Sequence, residues 1–92
     1  SLRFGTQFTD HMLLCEWTRK EGWKAPKIVP YQNLSLDPAA SVLHYAIETF
    51  EGMKAYSSLN DHNEKFLFRP EMNAKRMNAS NKRLALPVRV FL

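Results

Sequence analysis

One cysteine among 92 residues removes several possibilities at once. Cys15 can form no internal disulfide and cannot build a cysteine-only zinc site. His11, His44 and His62 do not stand at ligand spacing from one another or from Cys15, so no metal site is expected. Cys15 also has no lysine, arginine or histidine beside it in sequence, and it reads as an inert buried thiol. No apolar run approaches the ~20 residues of a membrane span. Internal repeats, low-complexity tracts and signal or transit segments are not visible. No serine–histidine–aspartate or paired-carboxylate arrangement can be assembled, so no catalytic residue is assigned within the chain.

What is present is an ordinary globular composition. Hydrophobic residues make up 45% of the sequence, which argues against disorder throughout. At this length the chain holds at most one domain, taken as residues 1–92. The formal charge of +4 raises nucleic acid as a partner, and Lys75, Arg76, Lys82 and Arg83 cluster on one expected helix. Asp37, Glu48, Glu51, Asp61, Glu64 and Glu71 interrupt that positive charge, however, and no zinc-finger, KH or RNP pattern occurs. A mixed solvated surface is the expectation, without nucleic-acid binding.

Local patterns place short elements along the chain. Met12 to Trp17 is a short apolar run and reads as a strand. Glu21 to Pro26 reads as a turn, because glycine and proline interrupt pairing. Lys27 to Tyr31 returns to extended structure, with Pro30 confining it to an edge or bulge. Asp37-Pro38 opens another turn, and Ser41 to Tyr45 forms one helical turn with Ser41 as its cap. Thr49 to Tyr56 reads as a strand, weakened at Glu51-Gly52. Polar Ser57 to Glu64 joins it to an antiparallel return strand, Lys65 to Phe68.

Pro70 suits the first turn of a helix, where its missing amide proton is not needed. At 100° per residue, Asn73, Ala74, Met77, Ser80, Asn81, Leu84 and Val88 share an inner face. Lys75, Ala79 and Lys82 fall opposite, toward water. Arg76 and Arg83 lie along one flank, neither core nor outer surface. Trp17 and Trp23 read as packing residues. The whole is an α+β arrangement: antiparallel strands with a helix after the last hairpin.

Several blocks then agree in register with a known family. They are His44-Tyr45-Ala46, Phe50-Glu51-Gly52-Met53-Lys54-Ala55-Tyr56, Phe68-Arg69-Pro70, Asn73-Ala74-Lys75-Arg76-Met77 and Leu86-Pro87. Upstream stand Phe4-Gly5-Thr6, Phe8 to Met12, Glu16-Trp17 and Asn33 to Leu36. Together they resemble the N-terminal small domain of a branched-chain amino acid aminotransferase of the eukaryotic type, a fold-type IV pyridoxal-phosphate enzyme. The resemblance implies exchange of an amino group between leucine, isoleucine or valine and 2-oxoglutarate, in a cytoplasmic or mitochondrial homodimer. It implies pyridoxal 5'-phosphate as cofactor, with Arg76 on its phosphate; a planar guanidinium grips phosphate through two hydrogen bonds. It also implies Phe4, Tyr45 and Phe50 as walls of the substrate side-chain pocket, since branched aliphatic groups need apolar surfaces of the right width.

In that family the lysine that holds the cofactor lies in the large domain, beyond these residues; Lys54 is not it. The chain alone is therefore expected to be inactive. Three departures from the family pattern stand out. Asn81 and Lys82 replace small or apolar residues, and an unpartnered Asn81 amide on the inner face would cost about 1–3 kcal/mol. Ser57 stands where an arginine is common, and Arg89-Val90-Phe91-Leu92 does not resemble the family's continuation. A D-amino-acid aminotransferase or an aminodeoxychorismate lyase is the nearest rival within the fold family, disfavoured by the long segment from Phe4 to Leu36. From another class, the chain reads as a truncated non-catalytic product that binds a full-length subunit.

Overall fold

The structure is a computed structural model that describes residues 3–89. The chain divides into two compact units, Ser1–Asp37 and Pro38–Leu92.

The first unit is a nested antiparallel hairpin. Strand β1 (His11–Leu14) pairs with β4 (Lys27–Pro30), bringing Met12 opposite Val29 and Leu13 opposite Ile28. Inside them β2 (Trp17–Thr18) pairs with β3 (Gly22–Trp23), so Trp17 and Trp23 face each other across the ladder. The expected continuous strand from Met12 to Trp17 is thus broken after Leu14. Opposite the break lies Pro26, which has no N–H to donate. The Lys24 N–H donates to Glu16 O at 2.8 Å, and the Cys15 thiol points to Lys24 O at 3.4 Å. Cys15 is half-buried rather than buried.

The turn also moves. It occupies Arg19 to Glu21, earlier than the Glu21–Pro26 expectation, and Gly22 closes it with φ 72°. That conformation is cheap only for glycine and suits a three-residue hairpin loop. The Glu21 N–H donates to the Thr18 hydroxyl within the turn. Pro30 sits at the end of its strand, opposite His11, as an edge position allows. Phe8 stacks on Tyr31 beyond that end, with ring centroids 5.2 Å apart.

The second unit begins with the short helix α1 (Ser41–Tyr45). Its cap is Ala40 rather than Ser41, and no side chain bonds the first turn; Ala46, at φ 51°, ends it. The hairpin β5 (Ala55–Ser57) and β6 (Lys65–Leu67) follows, joined through the polar loop as expected. The strand expected to start at Thr49 starts only at Ala55. Residues 49–54 are irregular, because Glu51 and Gly52 bond to side chains of the next helix instead of to a strand.

That helix, α2 (Pro70–Arg83), starts at the expected proline, with Glu71 in its first turn and Lys82 and Arg83 in its last. Those charges complement the helix dipole. It stops after Arg83, so Leu84 and Val88 lie beyond it rather than on its inner face. The Leu86 N–H donates to Asn81 O and the Ala85 N–H to Lys82 O, a Schellman ending with Ala85 in the left-handed region at φ 56°. Asn73, Ala74, Met77, Ser80 and Asn81 are half-buried, while Lys75, Ala79 and Lys82 are exposed, which matches the expected faces. The inner face is largely amide. Asn78 donates to Arg89 O at 2.6 Å and accepts from the Arg89 N–H. Asn81 accepts from the Thr49 hydroxyl and donates to Pro87 O at 3.3 Å, so the expected unpartnered amide is satisfied at both ends.

No described residue is buried, and Phe50, Phe68, Tyr45 and Leu59 are each more than three-quarters exposed. The chain exposes 8930 Å², where two self-contained bodies of those sizes would expose roughly 6,600 Å². Apolar surface on that scale drives association. In sedimentation the isolated 92-residue chain is expected to associate, and in calorimetry to show no sharp transition. A clean monomer that melts cooperatively would contradict this.

Candidate functional site

The second unit carries an open cleft of about 500 Å³. Glu48, Thr49 and Phe50 line it from the irregular segment, and Arg76, Ser80 and Arg83 line it from α2. Arg76 and Arg83 are seven residues apart, so a helix sets them along one flank. Both are exposed there, further out than the sequence pattern suggests. Ala79, between them on α2, lines the cleft as well.

Arg76 is held from one side. Its Nε donates to Glu51 Oε2 at 2.7 Å and its Nη2 to Glu51 Oε1, a bidentate pair. Asn73, one turn earlier on α2, donates from Nδ2 to Glu51 Oε1 at 3.1 Å and to Gly52 O at 2.7 Å. The Gly52 N–H donates to the same Oε1 at 3.1 Å. Glu51 is largely covered, its side chain 13% exposed, whereas the Arg76 side chain is 68% exposed. The hydrogen bonds from Arg76 hold the Glu51 carboxyl down at about 2, with Asn73 and Gly52 adding to the effect and burial opposing it. The same partner raises the Arg76 guanidinium above its ordinary value.

Arg76 and Phe50, both expected site residues, therefore meet at one cleft. Tyr45 lies on α1, 78% exposed, and does not line it. Phe4 lies in the first unit and is fully exposed. Sequence reasoning missed the Glu51 side chain, reading Glu51-Gly52 only as a weak point in a strand. The available signal was an acid beside a glycine inside an expected strand, with Asn73 and Arg76 three residues apart on the following helix.

No family model matches the chain. Curated proteins do. A cytosolic branched-chain-amino-acid aminotransferase of Saccharomyces cerevisiae is 60% identical over 86 residues, 94% of this chain. The mitochondrial protein of the same name and organism is 56% identical over 94% of the chain. Branched-chain-amino-acid aminotransferase 2 of Bacillus subtilis is 54% identical over the same share. In sequence, the chain is similar to the branched-chain aminotransferases along nearly its whole length. It spans about a fifth of their length, 22%, 21% and 23% respectively. Cytosolic and mitochondrial relatives match almost equally, so the sequence does not separate those compartments, and the likeness extends to a bacterial protein.

The Glu51–Arg76 pair sets a pH expectation. The Glu51 carboxyl is lowered from 4.5 to about 2, so its stabilising effect is complete above the unfolded value and is lost as pH falls through the folded one. Carbon-detected NMR should show Glu51 titrating near 2. Arg76→Ala should bring it back toward the ordinary carboxylate range. Titration of wild-type Glu51 alongside exposed carboxylates would contradict the pairing.

Proposed function

We propose that this chain is the small-domain portion of a branched-chain aminotransferase, with the remaining length of the protein supplying the large domain. The full protein exchanges the amino group of leucine, isoleucine or valine with 2-oxoglutarate and works as a homodimer in the cytoplasm or mitochondrion. The reading is supported chiefly by 52–60% identity to branched-chain aminotransferases along nearly the whole chain. Convergence of Arg76 and Phe50 on one cleft agrees with it.

The donor set fits the phosphate of pyridoxal 5'-phosphate. A guanidinium carries five N–H groups; two meet Glu51, leaving three for another acceptor. Arg83 and the Ser80 hydroxyl lie in the same cleft. When bound, pyridoxal phosphate supplies the electron sink that amino transfer requires. Arg76 holds its phosphate by directed, charge-assisted hydrogen bonds. Phe50 offers stiff apolar surface to a branched side chain that has no hydrogen-bonding group; the resemblance gives Tyr45 and Phe4 the same role, although neither lines this cleft. Walls of this kind separate substrates differing by one methylene by only ~1–3 kcal/mol, so leucine, isoleucine and valine are all accepted. The proton-moving lysine comes from the large domain.

In the full-length protein, Arg76→Ala should weaken cofactor retention in equilibrium dialysis by about 1.5–3 kcal/mol, the worth of one charge-assisted hydrogen bond. Arg83→Ala should cost less. The 92-residue chain by itself should show no transamination of leucine above free pyridoxal phosphate in solution. Unchanged cofactor affinity in Arg76→Ala, or turnover by the isolated chain, would overturn the assignment.

A further inference from the structure

The Glu51 carboxylate meets four hydrogen bonds at once: two from Arg76, one from Asn73 and one from the Gly52 N–H. Three of these converge on Oε1 and one falls on Oε2, so Oε1, with two lone pairs, is fully engaged. Asn73 also clamps Gly52 O, which ties the backbone beside Glu51 to α2. Glu51 is the covered partner and Arg76 the presented one. The guanidinium is planar, so fixing its Nε–Nη2 edge fixes the direction of its remaining N–H groups as well.

We propose that Glu51 and Asn73 are positioning residues, which lock Arg76 by one edge so that its other N–H groups face a phosphate monoester in the cleft. This rests on the phosphate role proposed above for Arg76. Charge alone would not recognise that ligand here. Arg76 and Arg83 are balanced by Glu48 and Glu51, all four at or beside the cleft. With no net positive charge, a dianion must be held by the direction of its hydrogen bonds. Direction is what the Glu51–Asn73 clamp supplies. Without it, an exposed arginine loses a larger share of rotamer freedom when the ligand binds.

The test measures affinity of the full-length protein for pyridoxal phosphate and for pyridoxal, the same ring without the phosphate. The readout is the ratio of the two dissociation constants. Glu51→Ala is expected to lower the preference for the phosphorylated form by about tenfold, on the order of 1.4 kcal/mol, with pyridoxal affinity nearly unchanged. Glu51→Gln, which keeps one acceptor oxygen and the side-chain shape, should fall between wild type and Glu51→Ala. It also serves where the alanine variant does not fold. Asn73→Ala should shift the ratio in the same direction. Loss of preference in Arg76→Ala with full preference in both Glu51 variants would overturn the positioning role while leaving the phosphate contact standing. Equal weakening of both ligands by the Glu51 variants would make Glu51 merely structural. Full preference in Arg76→Ala would remove the phosphate reading itself, and the positioning role with it.

Discussion

A single carboxylate organises the second unit. Glu51 collects hydrogen bonds from α2 and from its own neighbouring amide, and those bonds pull residues 49–54 out of regular strand pairing. The consequence is geometric. The irregular segment lies along the helix flank, Phe50 and Arg76 face one cleft, and the hairpin is displaced to Ala55–Ser57 and Lys65–Leu67. Remove the carboxylate and both the segment's path and the direction of the guanidinium lose their common anchor.

The polar character of this anchoring has a cost. Asn73, Asn78 and Asn81 hold three stretches of backbone or side chain against α2 where a self-sufficient domain would place leucines. A neutral hydrogen bond contributes about 0.5–1.5 kcal/mol net, and partial exposure erodes it. Apolar burial, the usual dominant stabilising term, is small here because no described residue is buried. The observed surface excess and the short span relative to the aminotransferase relatives agree with one another: the described residues carry little core of their own.

Legibility followed the range of the interactions involved. Pro70, the polar loop before Lys65 and the face of α2 from Asn73 to Asn81 were readable because local stereochemistry and helical period decide them. Matching motifs singled out Arg76 and Phe50, which the structure brings to one cleft. The break after Leu14 was not readable, because it depends on Pro26 across the hairpin. Neither was the helix end at Arg83, where Ala85 takes the left-handed position that glycine usually signals. Asn81 looked unsatisfied because its partners, Thr49 and Pro87, come together only once the chain folds. Glu51 escaped for the same reason: its partners lie 22 and 25 residues away. Sequence patterning sees elements; it does not see which irregular segment a side chain captures.

A double-mutant cycle on Glu51 and Arg76, read by chemical denaturation of the full-length protein, tests the central pairing directly. If the carboxylate anchors the guanidinium, Glu51→Ala and Arg76→Ala each destabilise, and the double variant is little worse than the more damaging single one. Strict additivity of the two substitutions would show that they act independently and would contradict the account.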